Sequence, residues 1–232
     1  MTTLIYVIVV VVLSLVLHFG YEVLRTRFIG KTMKSLAATG DINQFGASIN
    51  STQGKLYFPK AARLLFELDG YLSVHDVDGV NQVYEETKTK RYNMDTRFKI
   101  EARMFMLQLL KNDETGASAT LDKMKQLVQG TKREAEYSAT LKEYEYQLEI
   151  GLRRNGDYAQ EMLDCAEASA DEKNKGVYLF RAATCYYYKN DEDKAFEYLK
   201  QAKPCLENTE LGKVIGDILK TKKLSSLETV KK

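Results

Sequence analysis

Residues 4–21 form a run of 18 in which only His18 can take up charge near neutral pH. As a helix rising 1.5 Å per residue the run would reach about 27 Å, close to the hydrocarbon thickness of a bilayer. Its Leu, Ile, Val and Phe residues together favour insertion by about 4 to 8 kcal/mol, enough to outweigh His18 near one end. The run is therefore expected to span a membrane, with residues 1–21 as the anchor. His18 has no acidic or histidine partner within the run, so it reads as an interfacial residue rather than a proton relay. No Lys or Arg precedes the run and no small-x-small cleavage pattern follows it, which favours a retained anchor over a signal peptide. Arg25, Arg27, Lys31 and Lys34 follow the run, whereas Thr2 and Thr3 precede it. That asymmetry predicts a single-pass membrane protein with its C-terminal domain facing the cytoplasm, and the same cations could touch anionic headgroups.

The remainder has the composition of a folded domain. Its 34 basic and 32 acidic residues are too evenly matched for the strong positive field of a nucleic-acid binder, so no nucleic-acid partner is expected. The two prolines, Pro59 and Pro204, leave most apolar-periodic stretches uninterrupted, which predicts an all-α chain. Cys165, Cys185 and Cys205 form no Cys-x-x-Cys pair and are odd in number, which points to free core thiols rather than a disulfide framework.

Short polar breaks recur between the helical stretches: Gly40-Asp41, His75-Asp76, Asn112-Asp113, Gly156-Asp157 and Asn190-Asp191. Successive aspartates lie 35, 37, 44 and 34 residues apart, near the period of a helix-pair repeat, with the third interval expanded. Gly or Asn can adopt the left-handed conformation that ends one helix, and the Asp that follows can cap the next. Each break is thus expected to turn a helical hairpin.

The last of these units resembles a tetratricopeptide repeat. Between residues 176 and 202, Ala183 stands where close helix approach is needed and Tyr186 follows it. Asn190-Asp191 makes the turn, and Ala195, Leu199 and Ala202 form the small-large-small stripe of the second helix. Small side chains let two antiparallel helices approach while the larger ones fill the space between hairpins. Upstream the resemblance holds at the level of the hairpin. Leu148, Leu152, Tyr158 and Ala168 mark one unit, although Glu149 and Glu161 stand where small residues are expected. Phe98, Ala102, Phe105 and Leu109, with Ala117, Leu121 and Met124, mark another, and Leu64, Leu68, Tyr71, Val80 and Tyr84 a third. The segment 22–55 is the least regular, and its first helix could continue the spanning helix. Leu211, Val214, Ile215, Ile218 and Leu219 predict a capping helix over residues 210–227, followed by a frayed basic tail. The expected organisation is an anchor (1–21), a juxtamembrane helical segment (22–55), tetratricopeptide-like repeats forming a solenoid (56–209) and a capping helix with tail (210–232).

No dinucleotide, phosphate-loop or hydrolase-elbow motif occurs, so a non-catalytic chain without cofactor or metal is expected. The one compact acidic and imidazole cluster, His75-Asp76-Val77-Asp78-Gly79, lacks the glutamate of a calcium loop and a second histidine. It fits a capped turn better than a metal site. In tetratricopeptide stacks the first helix of each pair lines a concave groove, and that resemblance implies Tyr146, Arg153, Phe180, Thr184 and Tyr187 as partner-binding residues. The Lys and Asn set with which chaperone-binding members clamp a terminal carboxylate is missing. Phe180, Thr184, Tyr146 and Ile150 stand at the corresponding positions, which disfavours a chaperone-tail receptor. The chain is accordingly expected to be a membrane-tethered scaffold or adaptor whose groove takes a peptide or helix of a protein partner. An exported or surface-facing solenoid and an enzyme on a helical frame are the alternatives.

Overall fold

The computed structural model describes residues 2–228, and for residues 2–14, 16, 17 and 228 the backbone alone. The basic tail expected at Lys231 and Lys232 lies outside the described residues, as do most side chains of the expected membrane span. Among the described residues the chain is all-α, without a strand. It divides into two compact units, residues 1–107 and 108–232, a boundary the sequence reading does not mark.

The first unit holds α1 (Thr2–Thr39), α2 (Ile42–Ile49), α3 (Thr52–Tyr57), α4 (Lys60–Ser73), α5 (Val77–Lys88) and most of α6 (Met94–Lys111). The helix that begins in the apolar run continues unbroken to Thr39, so the juxtamembrane segment does not begin with a helix of its own. Its C-terminal half packs as a core element. Leu36 is buried with Phe45 and Ile49 of α2, and Phe28, Ile29 and Met33 lie against them. A second core joins Leu64 and Leu68 of α4, Val80, Val83 and Tyr84 of α5, and Ile100, Met104 and Leu107 of α6. Of the stripe expected on α6, Phe98, Ala102 and Phe105 are also buried and Leu109 is half-buried, so this helix is covered on more than the one face its periodicity shows.

The second unit continues with α7 (Glu114–Val128), α8 (Glu134–Tyr146), α9 (Ala159–Ala168), α10 (Glu172–Tyr188), α11 (Glu192–Cys205) and α12 (Glu210–Thr221). The α10/α11 hairpin realises the repeat-like packing most fully: Ala183, Ala195, Leu199 and Ala202 are completely buried. The C-terminal cap is shorter than expected. Lys222 adopts a left-handed conformation (φ 54°) that ends α12, and a 3-10 turn over Leu224–Glu228 folds Leu224 and Leu227 back into the same core as Ile215 and Ile218.

The hairpin turns follow the expected chemistry at four of the five breaks. Gly40, His75, Asn112 and Asn190 all have positive φ, between 53° and 65°. The aspartate after each accepts a hydrogen bond from the backbone N–H three residues on, at 2.9 to 3.1 Å. In the turns at His75, Asn112 and Asn190 the aspartate N–H also donates five residues back, to the carbonyls of Tyr71, Gln108 and Tyr186 respectively. One Asp therefore closes the outgoing helix with its backbone and opens the incoming helix with its carboxylate, which keeps the turn short.

Gly156-Asp157 departs from this scheme. The left-handed residue there is Arg154 (φ 54°), and Asn155 is the cap, accepting from the N–H of Asp157. Gly156 is required by contact rather than by φ, because a Cβ on it would meet the Cys185 carbonyl and the Lys189 side chain. A π-helical turn over Gln147–Leu152 precedes the break.

Candidate functional site

The residues expected to line a groove are distributed over α8, the π-turn and α10, all within the second unit, and the structure treats them unequally. Tyr146, at the end of α8, is only 5% exposed. Its hydroxyl donates to Glu161 at 3.0 Å and lies 3.7 Å from the Cys165 sulfur. Thr184 is 6% exposed and returns its hydroxyl to the Phe180 carbonyl at 3.0 Å. Neither side chain presents a surface to a partner, because α10 is held between α9 and α11, and Tyr146 shares a core with Ala159 and Met162 of α9 and Ala182 and Cys185 of α10. Phe180 and Tyr187 are half-buried against the core formed by Leu179, Leu199, Leu206 and Ile215. Arg153 is exposed and engaged, donating to Glu114 at 3.0 Å, to Glu149 and to Ser118.

Around Tyr146 the structure assembles a cluster that the sequence reading missed. Lys142 lies 5.1 Å from the Tyr146 ring centre and 5.7 Å from that of Tyr158. Arg181 stands over Tyr146 at 6.0 Å and Tyr178 at 5.6 Å. Glu143 ties these together, accepting from the Tyr178 hydroxyl at 2.5 Å and from Arg181 at 2.7 Å. Glu161 accepts from Tyr146 and pairs with Lys142 at 3.1 Å. The two glutamates that break the repeat pattern thus serve as anchors: Glu161 here, and Glu149 for Arg153 and Asn155. The available signal was spacing, since Lys142 and Tyr146 are four apart on α8, and Tyr178 and Arg181 three apart on α10.

Electrostatics follow from this packing. Burial, reinforced by hydrogen bonds with Cys165 and Glu161, pushes the Tyr146 hydroxyl well above its ordinary range. Burial and the Glu143 carboxylate push Tyr178 up to about 12. For Lys142 burial works against the charged form, but Glu161 and Glu145 outweigh it and the ammonium is held more firmly than usual. The cluster therefore keeps neutral phenols and fixed cations side by side. Its cation–π and hydrogen-bonded contacts join α8, α9 and α10 within the fold.

In the first unit an open groove of about 400 Å³ lies along α1, lined by Phe28, Lys31, Thr32, Ser35, Gln44 and Ser48 among others. His75 is the left-handed residue of its turn, with Asp76 as the cap, so those two residues play the structural parts expected of them. No helix among the described residues is long and apolar enough to cross a membrane. The side chains of residues 4–14, 16 and 17, which make up most of the expected span, lie outside that description.

No family model, no curated protein and no solved structure matches the chain.

Proposed function

We propose that the chain is a membrane-tethered helical scaffold that binds a protein partner, without catalysis, at the cytoplasmic face of the membrane. The observation that carries this reading is the continuity of α1. A single 38-residue helix starts in the apolar run and ends as a buried element of the first unit, so the anchor is built into the fold rather than joined by a flexible linker. Tethering in this way raises the effective concentration of a binding surface toward partners on the same membrane. Orientation follows from Arg25, Arg27, Lys31 and Lys34 on the C-terminal side of the run.

The binding surface is assigned to the exposed edges of Phe180 and Tyr187 with Arg153, residue types over-represented where helices and peptides dock. The tetratricopeptide-like hairpin of α10 and α11 supports this assignment through its fully buried small-residue seam. Photocrosslinking and affinity recovery from detergent-solubilised membranes test it. Phe180→Ala with Tyr187→Ala, and separately Arg153→Glu, should each reduce partner recovery at unchanged far-UV helicity. Recovery equal to the parent chain in both variants would remove this surface from the reading. The tether is tested by washing membranes with alkaline carbonate, which should leave the chain in the pellet. Protease added to sealed cells should spare the domain.

A further inference from the structure

We infer that the end of α3 is a second membrane contact, in which Leu56 enters the interfacial layer of an anionic bilayer while Lys55 and Lys60 meet its headgroups. This inference rests on the membrane anchor proposed above. Leu56 is 68% exposed. Apart from Met106, the other exposed large apolar side chains among the described residues are Leu15, Phe19, Tyr21 and Leu24, all on α1 around the end of the apolar run.

The fold fixes Leu56 at that same level. The Tyr21 hydroxyl donates to the carbonyls of Leu56 and Tyr57 at 3.2 and 3.1 Å. The Tyr21 and Tyr57 rings meet edge to face at 5.7 Å, and Phe28 lies 5.6 Å from Tyr57. Tyr21 is the last residue of the apolar run, so the final turn of α3 is clamped beside the point where α1 would leave the lipid. Amphipathic aromatic rings belong at that depth. The entry to α3 is equally constrained, since Ser51 caps it and Gly54 packs against the Ile49 carbonyl. Gly54 and Phe58, two residues to either side of Leu56, are buried, so Leu56 is exposed on a packed segment and not on a loose one.

Charge selects the occupant. Residues 21–31 and 51–60 carry Arg25, Arg27, Lys31, Lys55 and Lys60 against one acid, Glu22, which is already paired with Arg25. An exposed apolar residue in a segment with this excess of cations, beside a spanning helix, fits an anionic lipid surface, whose potential acts within a Debye length of the headgroups.

The chain contains no tryptophan, so Leu56→Trp supplies a single fluorescent reporter. The full chain would be reconstituted in phosphatidylcholine–phosphatidylserine vesicles, with and without lipids brominated near the headgroup. A tryptophan at Glu85, on the exposed face of α5, serves as the reference. The expected result is blue-shifted emission quenched about twofold or more by bromolipid for Leu56→Trp, with no quenching for Glu85→Trp. Adding Lys55→Glu and Lys60→Glu should reduce the quenching, and unchanged quenching would overturn the part assigned to the lysines. Solvent-like, unquenched emission from a chain that resists carbonate extraction overturns the second contact and leaves the anchor standing. Blue-shifted but unquenched emission also overturns it, since protein and not lipid then covers the residue. Release of the chain by carbonate overturns the anchor itself.

Discussion

Arg103 of α6 grips Asp69 of α4 with two parallel hydrogen bonds, Nε to Oδ1 and Nη2 to Oδ2, both at 2.9 Å. The partners are 34 residues apart, and the pair links α4 to α6 within the first unit, across the intervening α5. Planar two-point pairing requires a guanidinium, and lysine cannot reproduce it. Arg103→Lys should therefore lower stability by nearly as much as Asp69→Ala, about 1 kcal/mol at this partly exposed site. A double-mutant cycle in urea should return a coupling of the same size, and coupling near zero would show the pair to be incidental.

The turn at His75 separates two effects that a cluster of His and Asp could confuse. His75 holds φ at 58°, where a Cβ is disfavoured, so His75→Gly should be neutral or raise stability by up to about 1 kcal/mol. Asp76→Ala removes the acceptor for the Gly79 N–H and should cost about 1 kcal/mol. Chemical denaturation of the two variants checks the opposite signs.

Glycine has two meanings in these helices, and alanine substitution distinguishes them. Nothing lies within 4 Å of a Cβ placed on Gly46 in α2, so Gly46→Ala should gain about 0.5–1 kcal/mol from helix propensity. Gly212 is the third residue of α12 and its added Cβ would collide with the Leu206 carbonyl, so Gly212→Ala should be destabilising despite the same propensity gain. Thermal midpoints of the two variants should move in opposite directions.

Alkaline pH should weaken the fold before acid does at these buried groups. Burial pushes the Cys185 thiol from 9.0 up to about 12. The Tyr178 hydroxyl, by burial and Glu143, moves from 10.0 up to about 12, and Tyr84 and Tyr146 shift in the same direction. Each neutral group is favoured in the native state, so the unfolded chain loses its proton first. Their contribution is complete below about pH 9 and is lost as pH rises toward 12. For fully buried Cys185 the slope in that window approaches about 1.4 kcal/mol per pH unit. Urea midpoints measured between pH 8 and 11 in Cys185→Ala and parent chains should show a shallower decline in the variant, by about one proton's worth.

Much of the fold is legible because turn chemistry is local. A residue able to take positive φ followed by Asp announces a hairpin, and at Gly40, His75, Asn112 and Asn190 the backbone does this. The break before α9 is misplaced in the sequence for a non-local reason. Gly156 looks like a helix stop, yet its lack of a side chain serves the approach of Cys185 and Lys189 at the end of α10, 29 and 33 residues further along the chain. The expected groove is the least legible part. Periodicity reports which residues share a helix face but not how many neighbours cover that face. Tyr146 and Thr184 consequently lie inside the packing, while Lys142, Glu143, Tyr178 and Arg181 gather around one of them.

The sequence by itself determined the helical class, the positions of most hairpin turns and the small-residue seam of α10 and α11, because propensity, capping and periodicity act over a few residues of contiguous chain. Tertiary structure alone decided that the end of α1 is buried in the first core, that Leu56 is fastened beside Tyr21, and that the glutamates of the irregular repeat anchor cations and phenols. Those outcomes depend on which surfaces meet across 15 to 38 residues of chain. Such pairings are selected by the free energy of burial and charge pairing summed over the assembled helices, and no single stretch of sequence carries that sum.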